Sequence, residues 1–240
     1  MTQLLKTLGR TALFRGLSEE EAEKALSCLG TQRRCYAKGE AVLRAGDHVG
    51  SVALVLSGSV CIENNDAWGN KSVLDRLGPG QVFAETYACV PGEPMMVSVV
   101  AAERAEILFL RAAPLLDEQA PPAVQRLVRN LLSVSAQKNL ILSRRMFHIS
   151  AKTIRGRLQS YLSDQAARRG RQEFDIPFDR QQLADYLGVD RSALSAELGR
   201  MQREGLLRVR KNHLSFLRKK TDKKRQAVPK PAVLSCFMLC

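Results

Sequence analysis

The spacing of apolar residues changes several times along the chain. Residues 11–25, TALFRGLSEEEAEKA, begin with a Phe-Arg-Gly-Leu entry and place Glu21 three positions after Ser18. Ser-x-x-Glu is a capping box, in which two side chains satisfy the free amides at a helix start. It predicts a helix reaching about Leu29, with Cys28 on its apolar side. From residue 35 to about 110 the apolar runs are short (EAVLRA, SVALVLSGSVCIE, KSVLDRL, MVSVVAAERAEILFL), and Gly recurs at 39, 46, 50, 58, 69, 78 and 80 near their edges. Short strands with Gly turns at this spacing predict an antiparallel barrel or roll. A Pro-containing break over 114–122 follows, then a long helix over 123–146, AVQRLVRNLLSVSAQKNLILSRRM. Val124, Leu127, Leu131, Val134 and Ile141 keep a 3-4 spacing that Lys138 interrupts. An imperfect heptad stripe of this length predicts a dimer seam; the alternative is packing on the chain's own barrel.

The segment 178–207, FDRQQLADYLGVDRSALSAELGRMQREGLL, predicts two short helices and a tight turn. Leu183, Ala184 and Leu187 form the apolar face of the first. Gly188 ends it, because glycine takes the left-handed conformation without a steric penalty. Val189 plugs the angle, and Asp190 caps the second helix by accepting from its free amides. Leu194, Leu198 and Met201 then fall at i, i+4 and i+7, leaving Arg191, Ser192 and Ser195 on another face. A helix-turn-helix that reads DNA has this layout. Residues 206–217, LLRVRKNHLSFL, alternate around a polar Lys211-Asn212 tip and predict a hairpin wing.

Charge sharpens this picture. Residues 1–143 hold 15 basic and 15 acidic residues, whereas residues 144–240 hold 22 and 9, so the whole net charge of +13 lies in the second part. A neutral part joined to a strongly basic part predicts a polyanion partner for the latter. Double-stranded DNA fits better than a membrane, since no apolar run approaches the roughly 20 residues a span requires. The opening residues carry no apolar leader, so a cytoplasmic chain with its six Cys mostly reduced is expected. His48, His148 and His213 are scattered and cannot build a cupin-type metal site, and no nucleophile–base pair is visible, so an enzyme is not expected. The expected organisation is a sensing roll over 1–120, a helix over 121–147, a winged helix-turn-helix over 148–217, and a basic, disordered tail over 218–240.

In this order the elements resemble the Crp/Fnr family of bacterial transcription regulators. The residues carrying the resemblance are Leu13-Phe14-Arg15-Gly16-Leu17-Ser18, Lys38-Gly39-Glu40, Ala45-Gly46-Asp47, Leu54-Val55-Leu56-Ser57-Gly58-Ser59-Val60, Leu77-Gly78-Pro79-Gly80, Ser98-Val99-Val100-Ala101 and Leu187-Gly188-Val189-Asp190-Arg191-Ser192. The resemblance implies an α+β chain: an N-terminal antiparallel β-roll (a cupin-like double-stranded β-helix), a long dimerisation helix and a C-terminal winged helix-turn-helix. It further implies a homodimer on a palindromic operator, with RNA polymerase as a second partner. The competing class is a ligand-binding regulatory module that acts through a protein partner.

Members that bind cyclic AMP hold the ribose and phosphate with a Phe-Gly-Glu segment and an Arg-Ser pair. Here the first reads Phe83-Ala84-Glu85, and Met95 and Met96 stand at the Arg-Ser positions. Two thioethers cannot neutralise a cyclic phosphate, so no response to a cyclic nucleotide is expected unless a shifted loop brings in Arg44 or Arg104. Ala84, Glu85, Tyr87, Met95, Met96 and Val97 would outline a more apolar effector pocket. Its occupant is either a small apolar effector or the chain's own side chains. Cys28, Cys35, Cys61 and Cys89 lack the clustering of an iron–sulfur site, Cys28 and Cys61 read as core, and no His sits in a haem-attachment motif, so no cofactor is expected. In the DNA reader, Arg191 is placed to fork onto a guanine or meet a phosphate, with Ser192 and Ser195 beside it. Ala196 stands where many members carry a guanine-reading Arg. Arg180, Gln181, Arg200 and Lys211 would anchor the phosphate backbone.

Overall fold

A computed structural model describes residues 2–65, 71–90 and 92–217. The chain divides into two compact units, Met1–Asn139 and Leu140–Cys240. The first contains helices α1 (Thr2–Gly9) and α2 (Glu19–Leu29), then strands β1 (Gln32–Tyr36), β2 (Ala41–Leu43), β3 (Ser51–Ser57), β4 (Val60–Asn65), β5 (Lys71–Leu77) and β6 (Val82–Phe83). Helix α3 (Glu85–Cys89), strands β7 (Ser98–Ala101) and β8 (Ala105–Arg111) and most of α4 (Pro122–Ile149) complete it. The second unit takes the end of α4, α5 (Ile154–Arg169), β9 (Glu173–Asp175), α6 (Arg180–Leu187), α7 (Arg191–Arg203), β10 (Leu207–Arg210) and β11 (His213–Phe216).

The first unit is the expected antiparallel roll. Two four-stranded sheets, ordered β1-β8-β3-β6 and β2-β7-β4-β5, face each other. Alternation along β3 explains its unbroken apolar sequence. Ala53 and Val55 join the roll interior with Val60, Phe83, Met95, Val99 and Ile107. Val52, Leu54 and Leu56 turn the other way, toward α1, α2 and α4. Gly58 ends β3 at φ 72°, and a Cβ there would collide with the Arg104 carbonyl oxygen, so this turn requires glycine. The Ser18–Glu21 capping box is formed, and α2 ends at Leu29 as expected. Its buried face is Ala22, Ala25, Leu26 and Leu29, which leaves Cys28 one step off the stripe and exposed; Cys61 is half-buried. Helix α1 lies upstream of the first helix expected from the sequence; Leu5 and Leu8 anchor it in the core.

Helix α4 starts at Pro122, a position that favours proline because its missing N–H would have had no partner there. Its stripe differs from the seam read from the sequence. Val124 and Leu127 are fully buried and Leu131 nearly so, all inside the core shared with α2, β3 and β8, and Val134 packs against that core. The 3-4 spacing reports burial but does not say by what, and here the roll supplies the partner. Ile141 is exposed, together with Leu132, Leu140, Leu142, Met146 and Phe147.

In the second unit α5, α6 and α7 close over a core of Leu158, Tyr161, Leu162, Leu183, Leu187, Leu194, Leu198 and Met201. A three-stranded sheet, β10-β11-β9, lies beside them. Among the described residues no helix is long and apolar enough to cross a membrane. The tail expected over 218–240 lies outside the described residues. Because Leu127 belongs to the roll, Leu127→Ala should cost about 2–5 kcal/mol in chemical denaturation at every protein concentration. A loss that vanishes on dilution would place Leu127 in a subunit contact instead.

Candidate nucleic-acid interface and effector cassette

The turn between α6 and α7 is built as its sequence dictates. Asp179 caps α6 in a reciprocal pair with Gln182, a D-x-x-Q signal visible in the chain beside the Arg180 and Gln181 read as its start. Gly188 adopts φ 61°, ψ 48°, and its N–H returns to Ala184 and Asp185. Arg157 of α5 donates to the Leu187 and Gly188 carbonyl oxygens, both at 2.9 Å, which braces the turn. Asp190 caps α7 by accepting from the backbone of Ser192 at 2.8 Å and of Ala193 at 3.1 Å. The Ser192 hydroxyl also donates to Asp190, and this bond above all holds the Asp190 carboxyl below its ordinary range.

Leu194, Leu198 and Met201 are buried, and Arg191, Ser192, Ser195 and Ala196 are exposed on α7. Glu197 is buried, held by Arg155 of α5 and by Arg200, each at 2.5 Å. Arg155 also forks onto Glu204 at 2.7 and 2.9 Å, and these carboxylates raise its pKa. Arg200 pairs with Glu197 within its own helix while its side chain stays 57% exposed. Gln181 donates to Asp185 at 2.8 Å. Arg180 is half-buried and donates to the Lys211 carbonyl oxygen at 3.2 Å, so it joins α6 to the wing. Lys211 sits at the wing tip with φ 56° and its side chain is exposed.

The wing is β10 paired with β11 from Leu207↔Phe216 to Arg210↔His213. Strand β9, too short for periodicity to reveal, extends it through His213↔Asp175 and Leu214↔Phe174. His213 contacts Glu173 at 2.8 Å and Asp175 at 2.9 Å through its two ring nitrogens. Two carboxylates favour the doubly protonated ring, so its pKa is raised, by Glu173 first and Asp175 next. The end of α4 is fixed to α6 within this unit. Arg145 donates to the Tyr186 and Asp185 carbonyl oxygens, both at 3.0 Å, and buried His148 meets the Tyr186 hydroxyl at 3.0 Å. Burial lowers the His148 pKa.

In the roll, Ala84 and Met95 share one apolar cluster, with Tyr87 and Val97 packed against it. Met95 is buried in the roll interior, and Val97 packs at its margin. Met96 is 73% exposed. Its backbone N–H donates to the Tyr87 hydroxyl at 3.3 Å. Ala84 has φ 59°, left-handed although it is not glycine. Glu85 is buried and paired with Lys138 of α4 at 2.7 Å. Arg44 and Arg104 are both exposed.

Residues 33–118 match the family model of the cyclic nucleotide-binding domain, and residues 156–220 match the Crp-like helix-turn-helix domain. The Cyclic AMP receptor protein of Thermus thermophilus is 30% identical over 204 residues, covering 82% of this chain and 88% of that one. The chain belongs to the Crp/Fnr family of transcription regulators. Transcriptional activator protein FnrL of Cereibacter sphaeroides is 25% identical over 72% of this chain and 71% of its own. Among solved structures, the c-di-GMP responsive global regulator CLP of Xanthomonas campestris shares the fold, with a TM-score of 0.52 at 22% identity over 84% of this chain and 100% of that one. As a Crp/Fnr-family member the chain is a DNA-binding transcription regulator.

The raised His213 pKa means that its carboxylate pair stabilises the wing below the ordinary His value of 6.5 and that this support is lost as pH rises through His213's own pKa. An NMR titration should give a midpoint above 6.5 that falls toward it in Glu173→Gln. A wild-type midpoint at or below 6.5 would show that the two carboxylates do not hold the ring.

Proposed function

We propose that this Crp/Fnr-family regulator binds a palindromic operator as a homodimer and does not respond to cyclic AMP. What supports the second part is the cassette: Met95 fills the roll interior, Met96 faces solvent, and neither offers a cation to a phosphate. Lys138, the cation that does reach the cassette, is engaged by Glu85 and the Val82 carbonyl oxygen. Met95 in the core favours a roll filled by its own side chains over one holding a small apolar effector.

The dimer reading rests on a different stripe from the one buried in the roll. Leu132, Ser135, Asn139, Leu142 and Met146 follow strict 3-4 spacing along α4. Leu132, Leu142 and Met146 are each more than 60% exposed. Exposed apolar residues at heptad spacing suit a helix–helix seam, and an Asn near its centre would fix the register. Two copies would then present two copies of α7 to successive major-groove faces, with RNA polymerase as the partner that transcription requires.

On α7, Arg191 is the exposed cation beside small neighbours, so it is assigned the base or phosphate contact at the half-site, with Ser192 and Ser195 flanking it. The Ser192 hydroxyl proton is already committed to Asp190, which leaves Ser192 a weaker base donor than Ser195. Lys211 is assigned to a phosphate beside the wing, and Arg180, Gln181 and Arg200 to holding the reader's shape.

Arg191→Ala should weaken the specific complex by about 1–3 kcal/mol while leaving nonspecific binding nearly unchanged. The double variant Leu132→Asp, Leu142→Asp should sediment as a folded monomer that has lost operator binding. Equal operator affinity for Arg191→Ala and wild type would remove Arg191 from the contact. An unchanged sedimentation coefficient in the double variant would remove the seam.

A further inference from the structure

Lys138 continues the 3-4 series Val124, Leu127, Leu131 and Val134, and it faces the roll with them. Its ammonium donates to Glu85 Oε1 and to the Val82 carbonyl oxygen, each at 2.7 Å. Both acceptors belong to the cassette: Val82 lies in β6, and Glu85 opens α3. The Glu85 side chain is 9% exposed, so its carboxylate depends on a cation for the hydration it has lost. Ala84 stands between the two acceptors at φ 59°, a conformation that a residue with a Cβ avoids unless its surroundings impose it. Lys138 grips the chain on both sides of that residue. An apolar residue at 138 would extend the stripe but leave Glu85 buried without its partner.

We infer that Lys138 is a positioning residue that ties α4 to the cassette from within the chain, so that the sensor is held closed with no small molecule bound and DNA binding needs no effector. The DNA-binding part rests on the regulator reading given above; the tether itself is a property of the roll. The two charges and the backbone carbonyl fix the distance between α4 and the β6–α3 segment. A ligand would have to break this pair to reach Glu85.

The test uses the full-length protein without ligand. Lys138→Met keeps side-chain length and adds to the apolar stripe but leaves Glu85 buried without its cation, so every variant is first checked for a native circular dichroism spectrum and a cooperative melt, and Glu85→Gln, which removes the buried charge, carries the same comparison if Lys138→Met does not fold. Glu85→Gln and the double variant Lys138→Met, Glu85→Gln complete a cycle. Hydrogen exchange over residues 82–89 and 134–142 should quicken at least tenfold in Lys138→Met, well below its unfolding temperature. Its affinity for a site selected with the wild type should fall at least tenfold. The double variant should do no worse than Lys138→Met, because the two side chains act as one unit. Added cyclic AMP or cyclic GMP should shift wild-type affinity less than twofold. Unchanged exchange over 82–89 with DNA binding intact would overturn the tether and leave the regulator reading standing. A wild type that binds its site only after a nucleotide is added would overturn the effector-free state. Loss of selective DNA binding in every form, with exchange responding as expected, would overturn the regulator reading and with it the effector-free claim.

Discussion

Val124, Leu127 and Leu131 are withdrawn from water by the roll, and this burial decides what remains of α4 for everything else. At about 1.5 Å per residue, the 28 residues of α4 run about 42 Å and offer more than one stripe to be covered. One stripe goes to the roll core. Lys138 extends that stripe with a charge, and the cassette supplies the partners. The neighbouring stripe through Leu132 and Leu142 is left to solvent in the single chain. The last turns carry Arg145 and His148, whose partners lie on α5 and α6. Because α4 is continuous, the same helix joins the sensor core to the reader core.

The reader was largely legible in the sequence because its signals are local. Gly188 and Asp190 specify a left-handed end and a cap within three residues, and the i, i+4, i+7 apolar set orients α7 without help from distant chain. The wing followed from alternation around Lys211-Asn212. The roll was legible as a class, since short apolar runs between glycines admit few other solutions. The partners of Arg157, Arg155 and Arg180 were not legible, because they lie 30 to 49 positions away. Arg200 pairs with Glu197 three residues before it on the same helix, while its side chain stays largely exposed.

The two errors of burial share one cause. Periodicity reports that a face is hidden but does not name the partner. The stripe from Val124 to Val134 therefore read as a subunit seam, and Cys28 read as core although Ala22, Ala25, Leu26 and Leu29 already fill that side of α2. The effector site shows the opposite limit. Met95 and Met96 lie in the irregular segment before β7, where neighbouring side chains take different surroundings. Met95 fills the roll and Met96 meets solvent, a difference in burial that the sequence, which marked both only as replacing an Arg-Ser pair, did not carry.

The central claim is that two copies of α7, held by a closed sensor, read a symmetric site. Selection of bound DNA from a random pool by the purified protein, with no ligand added, tests it most directly. Enrichment of two inverted half-sites with centres about 10–10.5 base pairs apart is the predicted result. Salt-sensitive binding with no enriched sequence would contradict it.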